Sequence, residues 1–330
     1  MQKLNFFLFV LVLMPILLYA ITSKKIVEKE FSIDPTGEIE IMTNEGSVNI
    51  ESWEQNEVKI VMTMRTWGNN EEEAERRLSE MRVDIDANSK KIIVKEKNIQ
   101  KNNFNFFDIF DGEFWDEQRW RNSVVDFELT VPKNVSLKVL SDEGDIVVAQ
   151  VDGKLNMRTN EGNIYVTDSQ SSDLFLVCDE GMIRLLNVQS QDESSKLHIH
   201  VDEGNVLLNE CSILESVIGS DEGDIRVDGS SFKYLNITSD EGNIDIELFP
   251  TRDGKYGFKT DEGDILIALP ANANIALKIK TDEGRISSAF NLTYHRMEEG
   301  ERLSGVIGRN ESMLKVHVLE GDIELKELEE

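Results

Sequence analysis

From about Leu137 to Leu325 the chain alternates apolar and polar residues in short runs. Every twenty residues or so the runs are broken by an acidic phrase that ends in glycine. The dipeptide Glu-Gly places glycines at Gly144, Gly162, Gly181, Gly204, Gly223, Gly242, Gly263, Gly284 and Gly321, with an early copy at Gly46. Two residues after each glycine stands a β-branched residue, as in Ile146, Ile164, Ile183, Val206 and Ile225. Five before it stands an apolar one, as in Val139, Met157, Leu176, Ile199 and Ile218. Seven before it is usually leucine, as in Leu137, Leu155, Leu174 and Leu197, with Ser216 and Tyr256 as the main departures.

Positions −7, −5 and −3 alternate with the period of a strand, and so do +2 and +4. Positions −5 and +2 are an odd number apart, so one straight strand cannot point both inward. The chain must change phase between them, and the Asp-Glu-Gly corner is where it does. Glycine suits that corner because it takes positive φ without a Cβ clash. Length variation falls between +4 and the next −7, which predicts a loose second loop. A unit of this length cannot bury its own apolar face, but stacked units can. The pattern predicts an all-β fold: a parallel β-solenoid (a single-stranded β-helix) of about 20-residue rungs. At ~4.8 Å per rung, eight or nine rungs make a rod roughly 40 Å long.

The ends differ from the middle. Residues 26–98 are expected to form a small α+β N-terminal module. It holds a strand over 58–67, a helix capped by Asn70 with acids in its first turn, and strands over 82–86 and 91–95. Residues 99–122 read as an aromatic-rich acidic insertion, and 123–330 as the solenoid with a C-terminal capping rung. The insertion from Asn291 to Asn310 is expected to cover the final rung and shield its open edge.

This layout resembles the bacterial putative-adhesin family of exported β-strand-repeat proteins, whose domain has no known function. The similarity rests on Gly37-Glu38-Ile39-Glu40-Ile41 with Gly46-Ser47-Val48-Asn49-Ile50, and on Glu73-Ala74-Glu75-Arg76 in the helix. It also rests on Leu129-Thr130-Val131-Pro132, Ala268-Leu269-Pro270 and Gly305-Val306-Ile307-Gly308. Family members usually carry Ser or Thr before the turn glycine, where this chain nearly always has Asp-Glu. The resemblance implies a solenoid in the cell envelope and names no ligand.

Composition narrows the function classes. The 330 residues carry 35 Lys+Arg against 63 Asp+Glu, a formal net charge of −28. That excludes a nucleic-acid surface as the default, since phosphate binding needs clustered positive charge. The apolar run from Phe6 to Tyr19, after Lys3, has the length of a signal-peptide core and is short for a membrane span. Residues 1–20 are therefore expected to be a signal peptide and the protein to be exported, to the periplasm or the cell surface. An envelope or surface protein or glycan is the expected partner. Membrane contact would come only through an uncleaved signal or the aromatic insertion.

Candidate chemistry is sparse. Stacking would align Asp142, Glu143 and Asp145 with Asp221, Glu222 and Asp224, and with Asp261, Glu262 and Asp264. Like charges 4.8 Å apart cost ~0.9 kcal/mol per pair in bulk water before screening. Calcium prefers such oxygens and would relieve that cost; the alternative is a solvated edge that resists aggregation. Phe106, Phe107, Phe110, Phe114, Trp115 and Trp120 form either a lid over the front of the solenoid or a patch for a partner. His198, His200 and Asp202 alternate on one strand and could ligate zinc, but their offsets are the outward ones. Cys178 takes a position that holds Ser or Thr in other repeats, and Cys211 lies in a loop. Buried, unpaired thiols are the favoured reading, with a disulfide left open by export. Arg184, Arg226 and Arg285 form no single column of the kind a polysaccharide-cleaving β-helix would use. No cofactor is expected beyond the possible calcium, and the overall reading is a non-enzymatic adhesin or scaffold.

Overall fold

Each repeat does change phase at its glycine. In the rung around Gly162, Leu155, Met157 and Thr159 face inward before the corner, and Ile164 and Val166 after it. Gly162 has φ +134°, and the other corner glycines lie between +115° and +150°. Equal positions stack: Leu155 aligns with Leu137 and Leu174, and Ile164 with Ile146 and Ile183. Burying a Leu or Ile side chain is worth ~1.5–3 kcal/mol, so each rung is stabilised chiefly by the rungs above and below it.

The computed structural model describes residues 21–97, 123–296 and 300–328. The pre-glycine strands, from Glu38–Glu45 to Met313–Glu320, form one long sheet, and the post-glycine strands, from Val48–Trp53 to Ile323–Glu327, form a second. Both are parallel along the repeat, and a single apolar core runs between them. The 1–20 segment and the 99–122 aromatic insertion lie outside the described residues, so the signal-peptide and lid expectations are not addressed by the fold.

The second corner is more regular than a loose loop. Six residues after the glycine, Gln150, Asp168, Asn187, Glu210 and Gly229 all take φ between 50° and 61°. The next residue turns back into the core: Val151, Ser169, Val188, Cys211 and Ser230 are all buried. Ser230 Oγ accepts the Cys211 N–H at 2.9 Å and donates to the Asp228 carbonyl at 2.9 Å. This left-handed step limits most post-glycine strands to four residues.

At the N-terminal end, Glu38–Glu45 and Val48–Trp53 make the first rung and stack directly on Ser136–Glu143 and Ile146–Ala149. Lys91–Glu96 and Ser123–Pro132 continue the two sheets outward from it. These two strands thus take the places that the pre-glycine and post-glycine strands hold in other rungs. Glu57–Gly68 and Ile21–Ser32 close that end of the post-glycine sheet as antiparallel strands. The helix Glu71–Glu80 forms as expected, with Asn70 Oδ1 accepting the Glu73 N–H at 2.9 Å.

The C-terminal end differs from expectation. Met313–Glu320 pairs with Lys255–Glu262 on one side and Ile275–Glu283 on the other. Ile323–Glu327 likewise lies between Ile265–Leu269 and Ile286–Ser288. The last rung in sequence is thus wedged inside the stack and is not a cap. The outermost rung is 275–288, and the hairpin Thr293–Arg296 and Glu301–Ile307 covers its pre-glycine strand by antiparallel pairing. The insertion does shield an open edge, but of the penultimate rung.

Candidate functional site: the acidic corner columns

Three columns of polar side chains run along the glycine corner, at positions −2, −1 and +1. Glutamate fills −1 without a break. Glu45, Glu143, Glu161, Glu180, Glu203, Glu222, Glu241, Glu262, Glu320 and Glu283 align in that spatial order. All but Glu45 are exposed. Among the described residues, none of these ten side chains is seen in an ion pair.

The backbone beneath explains the rigidity of the column. Except for Gly284 in the outermost rung, the corner glycines donate their N–H to the glutamate carbonyl of the adjacent rung, as Gly162 does to Glu180 at 3.0 Å and Gly204 to Glu222 at 2.8 Å. The glycine carbonyl is reached from inside by the −3 side chain of a neighbouring rung. Thr159 Oγ1 donates to Gly144 O at 3.3 Å, Thr260 Oγ1 to Gly242 O at 3.1 Å and Thr281 Oγ1 to Gly321 O at 2.9 Å. Cys178 Sγ does the same toward Gly162 O at 3.1 Å, which accounts for a thiol where other rungs have hydroxyls. Cys178 and Cys211 are both free and buried. Burial above all, with Asp179 and other nearby carboxylates, pushes the Cys178 thiol up to about 12, and burial pushes Cys211 up to about 11.

The +1 column is a hydrogen-bonded ladder. Asp145 Oδ1 accepts the Asn163 N–H at 2.9 Å, and Asn163 Oδ1 accepts the Met182 N–H at 3.0 Å. Past Met182 the pattern resumes: Asn205 to Asp224, Asp224 to Asn243, Asn243 to Asp264, Asp264 to Asp322 and Asp322 to Arg285, all between 2.7 and 2.9 Å. The Asn/Asp alternation is present in the sequence, and its aspartates are tied to the backbone of neighbouring rungs and do not form one acidic edge with the −2 and −1 residues. Asp145, Asp224 and Asp264 each commit one carboxylate oxygen to a neighbouring rung.

The −2 column is balanced by cations from −4 on the outward face of the pre-glycine sheet. Arg158 meets Asp179 at 3.0 Å, Lys259 meets Asp261 at 2.6 Å, and Lys280 pairs with Asp282. Asn160 Nδ2 donates to Asp142 at 2.7 Å. The sets Asp142/Glu143/Asp145, Asp221/Glu222/Asp224 and Asp261/Glu262/Asp264 are therefore distributed over three columns with different partners. Among the described residues, the one group of three ligand-type side chains with donor atoms all within 4.8 Å is His200, Asp202 and Asp221. His198 is apart from it and stacks on Phe175 at 4.9 Å.

At the front of the column the carboxylates crowd. Burial first, then Glu143, Glu96 and Asp142, push Glu45 up to about 7. Glu96 is raised by burial, against the hydrogen bonds it accepts from Asn44 N–H at 3.0 Å and Thr43 Oγ1 at 3.1 Å. At the other end a cavity of about 600 Å³ brings Arg285 beside Asp264 and Asp322. Arg226 is engaged by Asp228 at 2.8 Å. Phe106, Phe107, Phe110, Phe114, Trp115 and Trp120, expected to form either a lid or a patch for a partner, lie outside the described residues. No helix among the described residues is long and apolar enough to cross a membrane.

Comparison with known proteins places the fold. No curated protein matches the chain. A putative lipid binding protein from Parabacteroides distasonis is 10% identical, covers 92% of this chain and 97% of its own, and has a TM-score of 0.48. A putative adhesin from Parabacteroides merdae is 11% identical over 92% and 97%, with a TM-score of 0.40. One from Bacteroides fragilis is 11% identical over 92% and 98%, with a TM-score of 0.34. The Toastrack DUF4097 family model matches residues 36–326, so the glycine-cornered solenoid seen here belongs to that family.

Proposed function

We propose that the chain is a non-enzymatic, exported cell-envelope scaffold or adhesin that presents its glutamate column to a partner on the envelope or cell surface. The observation that carries this reading is the contrast among the three corner columns. The −2 acids are largely balanced by neighbouring cations and the +1 residues are bound into the ladder. Nine of the ten aligned glutamates, all but Glu45, are exposed, and among the described residues none of the ten is seen in an ion pair. A regular row of charge on a rigid backbone suits a repetitive, cationic or hydroxyl-rich surface such as a glycan or a basic protein face. The apolar run 6–19 supports export.

The test is binding of the full chain to immobilised envelope glycans and basic proteins, compared with Glu180→Gln/Glu203→Gln/Glu222→Gln. Salt-sensitive binding that the triple variant loses, with no sugar ends released, is the expected result. Equal binding by both forms, or release of sugar ends, would overturn the reading. A second reading rests on the same column: weak calcium binding that relieves the stacked charge. It requires millimolar calcium to raise the melting temperature above a sodium control of equal ionic strength.

A further inference from the structure

His200 stands at −4 in its rung, the position from which Arg158, Lys259 and Lys280 supply permanent cations to the aspartate row. Here the side chain is an imidazole, and it faces carboxylates from two rungs. Its Nε2 is 3.0 Å from Asp202 Oδ1 on its own rung and 3.8 Å from Asp221 Oδ1 on the next. The ring reaches the second carboxylate because the neighbouring −4 position is Gly219. A Cβ there would lie 3.2 Å from His200 Nδ1.

We infer that His200, Asp202 and Asp221 form a surface site for a divalent transition-metal ion such as zinc, separate from the glutamate column. Donors bound to zinc at ~2.0–2.1 Å in a tetrahedron are ~3.3 Å apart, and the two observed separations bracket that value. One imidazole nitrogen with two carboxylate oxygens favours zinc, nickel or copper over calcium, which takes oxygen donors. All three side chains are partly exposed, which leaves the remaining coordination positions open to water.

The other −4 histidine provides an internal comparison. His317 meets Asp282 at 2.9 Å, but Lys280 already pairs with that carboxylate, and the −2 residue of its own rung is Leu319. His198 is held against Phe175. Neither is placed between two carboxylates as His200 is.

The experiment is zinc titration of the full chain by calorimetry, near neutral pH, with excess calcium present to occupy weak carboxylate sites. The wild type should bind one equivalent. His200→Ala and Asp221→Asn should each weaken binding at least tenfold, while His198→Ala and His317→Ala should leave it unchanged. All four side chains lie on the outward face, and matching melting curves would verify that the variants fold. Ring-nitrogen NMR should show zinc shifting His200 and not His198. Absence of a saturable zinc site under calcium, or equal affinity in His200→Ala, would overturn the assignment and leave an ordinary His–Asp ion pair. Loss of the site in His198→Ala or His317→Ala would overturn it equally.

Discussion

Replacing Gly204 by alanine tests the corner on which the stack depends. Gly204 has φ +143°, a region that side chains rarely enter, and a Cβ built there would lie 1.8 Å from Gly181 O and 2.7 Å from Gly181 C. These are backbone atoms, so no rotamer change relieves the clash. Restoring ordinary contact means parting two rungs by about 1.6 Å, which strains the Gly181 N–H bond to Glu203 O at 2.9 Å and the Gly204 N–H bond to Glu222 O at 2.8 Å. The disfavoured backbone costs about 1–3 kcal/mol and each lost hydrogen bond about 1 kcal/mol, for a total of about 3–5 kcal/mol. Gly229→Ala is the control: φ is +55°, the nearest atom is 3.7 Å away, and four other rungs carry a side chain at that position. It should cost only about 1 kcal/mol. All four tryptophans precede residue 121, so fluorescence reports on the front end alone. Far-UV circular dichroism in urea and hydrogen exchange by rung are the appropriate assays. Gly204→Ala should lower the urea midpoint and speed exchange in Lys196–Glu203 and Ser212–Glu222. If both variants behave alike, the close approach of successive glycine corners is not what restricts this position.

Thr260→Val removes a hydroxyl that donates to Gly242 O at 3.1 Å and Glu262 O at 3.2 Å, and should cost about 1–2 kcal/mol in urea unfolding; an unchanged midpoint would show that the −3 hydroxyl does not matter. Glu45 binds its proton more tightly folded than unfolded, since its value rises from 4.5 to about 7. Its destabilising effect is therefore absent below pH 4.5, grows as pH rises, and is complete above 7. Glu45→Gln should thus gain about 1 kcal/mol near pH 8, after allowance for solvent screening, and nothing near pH 4; melting curves that run parallel to wild type across that range would contradict this. Burial and the raised values of Cys178 and Cys211 predict negligible reaction with a thiol reagent near pH 8 in the native state and two reactive thiols in denaturant. Rapid native labelling, or no thiols in denaturant, would refute it.

The solenoid was legible because its signal is local and repeated. The odd spacing between Met157 and Ile164 requires a change of phase, and Gly162 lies between them. The regular second corner was not legible, since Gln150 and Glu210 are poor markers of a left-handed backbone and only Gly229 is a strong one. The +1 ladder was half visible. Asn163, Asn205 and Asn243 stand in register with Asp145, Asp224 and Asp264, but charge drew the aspartates into the acidic edge while their hydrogen bonds assign them to the backbone. His200 is paired by the sequence with His198, since the two share a strand face. Its nearer partners include Asp221, 21 positions along the chain, which only rung-to-rung pairing brings close.

Synthesis delivers residues 275–288 before 313–327 exist, although the later segment supplies the earlier one's inward neighbour. Tier-by-tier growth from the amino-terminal side therefore stops at Leu269. Beyond that point the outer tier, its hairpin and the wedge must come together as one cooperative block, with no final position for the first until the last has been made. A truncation that removes only the wedge takes away the seat of the outer tier as well, so the loss of fifteen or so residues should disorder roughly forty more.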